Sequence, residues 1–138
     1  MNTSRDEISK KVLTARAFGT GAKSAQNPPV VRFTLSYDTA RIWCEIVIRA
    51  EGGRVGAGAG HHEKTIKLAA EILGPEARGI LLRLDRARKA RNEVLYEGQI
   101  ELVSPEDVEA LGAIVDELQE LVLSWLKTNH PDLLPLFP

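Results

Sequence analysis

The chain has 138 residues, 43% of them hydrophobic and 27% charged, and a formal net charge of -1 with a sequence pI near 6.3. That balance fits one soluble globular domain and excludes a protein that coats nucleic acid through its overall field, so any anionic partner has to be held by a local patch. The single Cys44 excludes an intrachain disulfide framework and suits a reducing cytosol; no apolar run reaches the roughly 18 residues of a membrane span and no signal-peptide core opens the chain, so a cytoplasmic protein without a membrane partner is expected.

Ser4-Arg5-Asp6-Glu7 has the form of a capping box, in which Ser4 accepts from a first-turn amide and Glu7 reaches back. Ile8, Val12, Ala15 and Phe18 then recur at helical spacing, which predicts a first helix of about four turns. Gly19 and Gly21 weaken its continuation, and Gln26-Asn27-Pro28-Pro29 marks a break. From about Ser36 to Glu51 the β-branched Ile42, Ile46, Val47 and Ile48 suit a strand by propensity. The charges decide for a helix, because Asp38, Arg41, Glu45 and Arg49 fall at spacings of three and four and form one polar stripe. The rest of that helix is apolar, which belongs in the centre of a bundle. Cys44 is then a small core residue rather than a nucleophile.

Five glycines follow between Gly52 and Gly60. They contain neither a GK[ST] nor a GxGxxG pattern and follow a helix, so they read as a connection rather than a phosphate loop. His61 and His62 point about 100° apart on a helix, with no Cys or HExxH nearby, and no metal site or cofactor is expected. Their place ahead of Ile66, Leu68, Ala69, Ile72 and Leu73 suits a helix N-terminus facing a bound phosphate or a partner subunit. Gly74-Pro75 separates that helix from one running from about Pro75 to Tyr96, closed by Gly98. The last helix opens at Ser104-Pro105-Glu106-Asp107 with an N-cap Ser, Pro at the first position and acids against the macrodipole. Val108, Leu111, Val115, Leu118, Val122 and Trp125 form a near-heptad seam along it, and Asn129 and Pro131 end it. An apolar, proline-broken tail over about 130–138 is expected to pack back or meet a partner. The prediction is an all-α protein, a single domain over 1–138 built as an up-and-down bundle of four to five helices.

The densest charge lies at Arg86-Ala87-Arg88-Lys89-Ala90-Arg91. At 100° per residue Ile80, Leu84, Ala87, Arg91 and Val94 share a face within about 80°. Arg86 and Lys89 point to solvent, and Arg88 lies at the edge of the apolar face. Arg91 is central on it, where a packing helix carries Leu. A buried unpaired charge costs several kcal/mol, so Arg91 needs a carboxylate, a cluster of carbonyls or a bound anion. Asn92 and Tyr96, four apart on another face, are placed to hydrogen-bond one another. Tyr96 points about 140° away from Arg91, so they share a site only if the helix unwinds or a second subunit supplies one of them.

Arg91-Asn92-Glu93-Val94-Leu95-Tyr96, late in a bundle and followed by a turn and a long closing helix, resembles the HEPN superfamily. Tyr37-Asp38-Thr39-Ala40, the Gly52-to-His62 connection and the Ser104-Pro105-Glu106-Asp107 cap fall where such proteins have them. The resemblance implies a helical homodimer whose two Arg motifs line a shared cleft. Active members of that superfamily are metal-independent RNA endonucleases of toxin-antitoxin and phage-defence systems, often partnered by a nucleotidyltransferase-like protein. Others are inactive binding or assembly modules.

The active pattern is Arg, four to six residues, then His, and here Tyr96 stands at that position. Metal-free RNA cleavage needs a base for the ribose 2′-OH, an acid for the departing 5′-oxygen and a cation for the phosphorane. Arg91 suits the cation. Tyr, with a pKa near 10, is a poor base at neutral pH, and Asn92 holds groups without moving protons. His61 or His62 would have to replace the imidazole across the dimer. Two readings follow. One is an RNA- or phosphate-binding protein, extending to a ribonuclease, with Arg91, Asn92 and Tyr96 at the reaction and Arg88, Arg91, His61 and His62 on the phosphate. The other is a non-catalytic module whose Arg motif is a dimer-interface ion-pair network.

Overall fold

The computed structural model describes residues 3–134. It is all-α, with five helices and no strand among the described residues: α1 (Arg5–Lys23), α2 (Pro29–Ala50), α3 (His61–Leu73), α4 (Pro75–Glu97) and α5 (Pro105–Asn129). Short 3-10 turns at Ile100–Leu102 and Pro131–Leu133 follow α4 and α5.

α2 is the axis of the bundle. Thirteen of its 22 residues are buried, and each of the other four helices packs against it. Tyr37, Trp43, Cys44, Ile46 and Val47 are fully enclosed. They meet Ile8 and Val12 of α1, Ile66 of α3, Leu81 and Leu84 of α4, and Leu118 and Val122 of α5 in one hydrophobic core. Burial pushes the Cys44 thiol up to about 12, so it stays a protonated core group, as its position on the central helix implies.

Two sequence expectations change at the α1–α2 hairpin. α1 continues through Gly19 and Gly21 to Lys23, and at Gly21 the missing side chain serves packing. A Cβ there would stand 2.9 Å from Leu35 Cδ1, whereas one at Gly19 would make an ordinary contact with Thr39 Cγ2 at 3.9 Å. Pro28-Pro29 starts α2 about seven residues earlier than expected, with Pro29 in the first turn, where a missing N–H costs nothing. Asn27 Nδ2 donates to Gly21 O at 2.9 Å and Arg32 Nε to Ala22 O at 2.8 Å, which satisfies the carbonyls at the end of α1.

The helix starts are half as read. The Glu7 amide donates to Ser4 Oγ at 3.1 Å, but the Glu7 carboxylate does not return to Ser4. It accepts from Arg49 Nε at 2.6 Å and Nη2 at 3.2 Å, while Arg49 Nη1 donates to Gly53 O at 3.0 Å. Arg49, expected on the polar stripe, is therefore 4% exposed and ties α1 to the end of α2. At α5 the box is complete, with Ser104 and Asp107 each capping the other. Gly98, at φ +70°, closes α4 by donating to Val94 O, the left-handed cap that favours glycine.

The start of the expected tail packs back: Leu133 is buried, and Arg5 Nε donates to Asp132 O at 3.4 Å. Pro135–Pro138 lie outside the described residues. No helix among the described residues is long and apolar enough to cross a membrane.

Candidate functional site

The polar stripe of α2 faces the cationic stretch of α4 across the N-terminus of α3. Tyr37 and Arg41 are one turn apart on α2, as are Asp38 and Arg41, so all three share a face. Tyr37 is fully buried. The guanidinium of Arg91 lies over its ring, 5.1 Å from the centroid, an arrangement in which the ring quadrupole attracts the cation.

Arg91 is 17% exposed at the side chain, and its nearest carboxylate is Asp38, with Nη2 3.7 Å from Oδ1. Arg41 Nε stands 3.9 Å from the same oxygen. Both separations exceed hydrogen-bond distance, so one carboxylate is shared loosely by two guanidiniums. Arg41 also holds Glu45 closely through Nη1. Three donors in this cluster, Tyr37 Oη, Arg41 Nε and Arg91 Nε, are buried and have no hydrogen-bond acceptor among the described residues. An unsatisfied buried donor costs about 1–3 kcal/mol. Arg91 thus has the carboxylate its burial demands, but one too distant to satisfy it.

Arg88 is differently placed. It donates from Nε to Asp85 Oδ1 at 2.9 Å and approaches Glu63 at 3.9 Å, so its charge is largely answered. Lys89, two-thirds exposed, also leans on Asp85 at 3.6 Å, and Arg86 is exposed; both are the solvated surface that the helical wheel implies.

His61 and His62 are the first two residues of α3. His61 Nδ1 lies 2.9 Å from Gly58 O; a carbonyl only accepts, so that nitrogen carries the proton. The His62 ring packs against His61 edge-on at 4.2 Å and against Tyr37 at 5.9 Å. Burial, followed by the charges of Arg41, His61, Arg91 and Arg88, pulls the His62 pKa down to about 4. At neutral pH it is an uncharged imidazole among three arginines, and it enters the Arg91 cluster within a single chain, without a dimer mate. The Tyr37 hydroxyl is pushed up to about 12, chiefly by burial and against the pull of Arg91, Arg41 and Arg88.

The His62 shift has a measurable sign. The unfolded imidazole takes a proton near 6.5, while the folded one resists it down to about 4. Between those values the unfolded chain binds more protons, so stability falls as pH falls. Urea midpoints measured at pH 7 and pH 5 should drop for the native chain, and His62→Gln should flatten that drop. An unchanged pH profile in the variant would refute the assignment.

Tyr96 and Asn92 do not join the cluster. α4 stays helical through Glu97, so no unwinding turns Tyr96 towards Arg91, and it stands 87% exposed. Asn92 is half-buried, and the expected hydrogen bond between the two is not formed. Sequence reading passed over Tyr37, Asp38 and Arg41 as site residues. The available signal was a charged stripe on a helix read as central, since such a stripe has to face another charged surface.

Among the described residues no group of three or more His, Cys, Asp or Glu side chains converges as a metal site. Set against protein-family models, curated proteins and solved structures, the chain matches none of them.

Proposed function

We propose that this chain is an HEPN-like RNA-binding protein that grips a phosphodiester between Arg91 and Arg41, works as a homodimer, and belongs to a toxin-antitoxin or defence system with a nucleotidyltransferase-like partner. The observation that carries this reading is the trio of buried donors Tyr37 Oη, Arg41 Nε and Arg91 Nε, which have no acceptor among the described residues. A phosphate has several strong acceptor oxygens and would satisfy such a set by charge-assisted hydrogen bonds. The chain's net charge of -1 makes this local grip, rather than the overall field, the source of affinity.

In this reading His62, rather than the Tyr96 position, supplies the base of a metal-independent cleavage. A phosphate anion bound beside His62 raises its basicity above that of the free chain, and the neutral imidazole accepts the 2′-OH proton as the O2′–P bond forms. Arg91 and Arg41 stabilise the charge that gathers on the phosphorane, the P–O5′ bond breaks, O5′ takes a proton from water, and the protonated His62 returns its proton to the hydroxide left behind. Tyr96, exposed on the outside of α4, acts from a second copy as an orienting donor beside Asn92.

Fluorescence anisotropy with a short single-stranded RNA tests the binding. Arg91→Gln should weaken it at least tenfold and lower the salt dependence by about 0.7 in the log–log slope, the amount for one phosphate contact on a single strand. Cleavage without added metal should vanish in Arg91→Gln and in His62→Gln. RNA affinity untouched by Arg91→Gln would sink the reading.

A second reading draws support from Arg88, whose pairing with Asp85 and Glu63 is that of a structural ion-pair network. It treats the chain as a non-catalytic assembly module. No RNA affinity, together with loss of stability or of dimer in Arg91→Gln, would favour it.

A further inference from the structure

The histidine pair separates the Arg91 cluster from a second cationic recess. A cavity of about 180 Å³ opens between α1, α2 and α3, lined by Lys11, Glu45, Arg49, Arg54 and His61 among others. Its charges are unevenly committed. Arg49 spends its guanidinium on Glu7 and on Gly53 O. Glu45 is held closely by Arg41, so Lys11, 3.9 Å from the other Glu45 oxygen, has only a loose share of it. Arg54 is exposed, and its charge, like that of Lys11, reaches Glu7 only at longer range than the Arg49 hydrogen bonds that occupy that carboxylate. Two cations thus face one recess, and the carboxylates they reach, Glu45 and Glu7, are each held more closely by another arginine.

The recess adjoins the Arg91 cluster. His61 forms part of its wall, the His61 ring touches the His62 ring at 4.2 Å, and the His62 ring contacts Tyr37, over which Arg91 lies. The glycine-rich connection delivers Arg54 to the rim. We propose that Lys11 and Arg54 form a second phosphate subsite, which takes a neighbouring phosphate of the same single RNA strand, with His61 and His62 between the two. This rests on the reading of the Arg91 cluster as a phosphodiester site. A track of two subsites explains how a chain with no net positive charge holds a polyanion: each subsite contributes its own counterion release.

The test compares two probes on the native chain and on the double variant Lys11→Ala/Arg54→Ala. Arg54 is exposed and the Lys11 side chain 30% exposed, and a native circular-dichroism spectrum and melting temperature in the double variant check that its fold is retained. With a short labelled oligouridylate, the double variant should bind about tenfold more weakly, with a log–log salt slope lower by about 0.7. With uridine monophosphate, whose single phosphate is assigned to the Arg91 cluster, its affinity should equal that of the native chain, and a matching loss with this probe would overturn the division into two subsites. Unchanged oligouridylate affinity and slope in the double variant, beside a loss in Arg91→Gln, would overturn the second subsite and leave the first standing. Failure of the native chain to bind either probe would overturn both.

Discussion

Glu7→Ala should cost about 2–3 kcal/mol of stability and lower the melting temperature by roughly 10 °C. The effect is large because of where the partner lies. Arg49 is 4% exposed, and two of its guanidinium nitrogens bond the Glu7 carboxylate. Without Glu7 the cation keeps only the Gly53 carbonyl and stands desolvated. Truncating one member of a buried pair costs about 3–5 kcal/mol; the Glu7 side chain is 32% exposed, so incoming water recovers part of that. The hydrogen bond from Arg49 holds the Glu7 carboxyl below its usual range, against the opposing effect of burial. The stabilisation is therefore complete above the unfolded carboxyl's pKa near 4.5 and disappears as pH falls through the lower folded value. Urea unfolding at pH 7 and pH 3 checks both statements. A loss below about 0.5 kcal/mol at pH 7 would reduce the pair to an ordinary surface contact.

Tyr37→Phe should do the reverse to stability and harm binding. The ring is fully buried and its hydroxyl has no acceptor among the described residues, so the folded chain bears the cost of a desolvated donor. Phe keeps the apolar contacts and the face beneath Arg91 while removing that cost. We expect a gain of about 1 kcal/mol, or roughly 4 °C in melting temperature, and several-fold weaker phosphate and RNA binding. Calorimetry on the free protein and anisotropy with RNA give the two halves. Destabilisation by 1 kcal/mol or more would mean that the hydroxyl has a partner in the free chain, and would remove one of the three donors on which the phosphate site depends. A gain in stability joined to a loss in affinity is what a site kept ready for a ligand predicts.

Much of this architecture can be read from the sequence, and the exceptions share a cause. The charged stripe of α2 outvoted its β-branched residues, and caps at Ser104 and Gly98 located the later helices. Gly19, Gly21 and Pro29 have the local tendencies of breakers, whereas their effect depends on the surroundings: Leu35 needs the space over Gly21, and Pro29 falls in a first turn. The candidate site divides in the same way. Periodicity singled out Arg91, since a cation on an apolar face stands out within one helix. Asp38, Arg41 and His62 meet it from two other helices, and no spacing rule connects residues some thirty to fifty positions apart. Glu7 illustrates the point from the other side, because its capping-box pattern is real and yet its carboxylate is taken by Arg49.

Leu84 and Leu95 are eleven residues apart on α4 and point within about 20° of one another. Leu84 is fully buried and Leu95 is 47% exposed. The core-facing side of this helix therefore outruns the core: Val94, less than one turn past Arg91, still packs against it, whereas Leu95 and Tyr96 stand exposed. Past Val94 the backbone keeps its own hydrogen bonds but has little tertiary support, so opening that last turn costs less than global unfolding. Arg91 is thus held from both sides along the helix, by Leu84 before it and Val94 after it. The segment free to fray is the single turn after Val94, and it can open while the five-helix core stays intact.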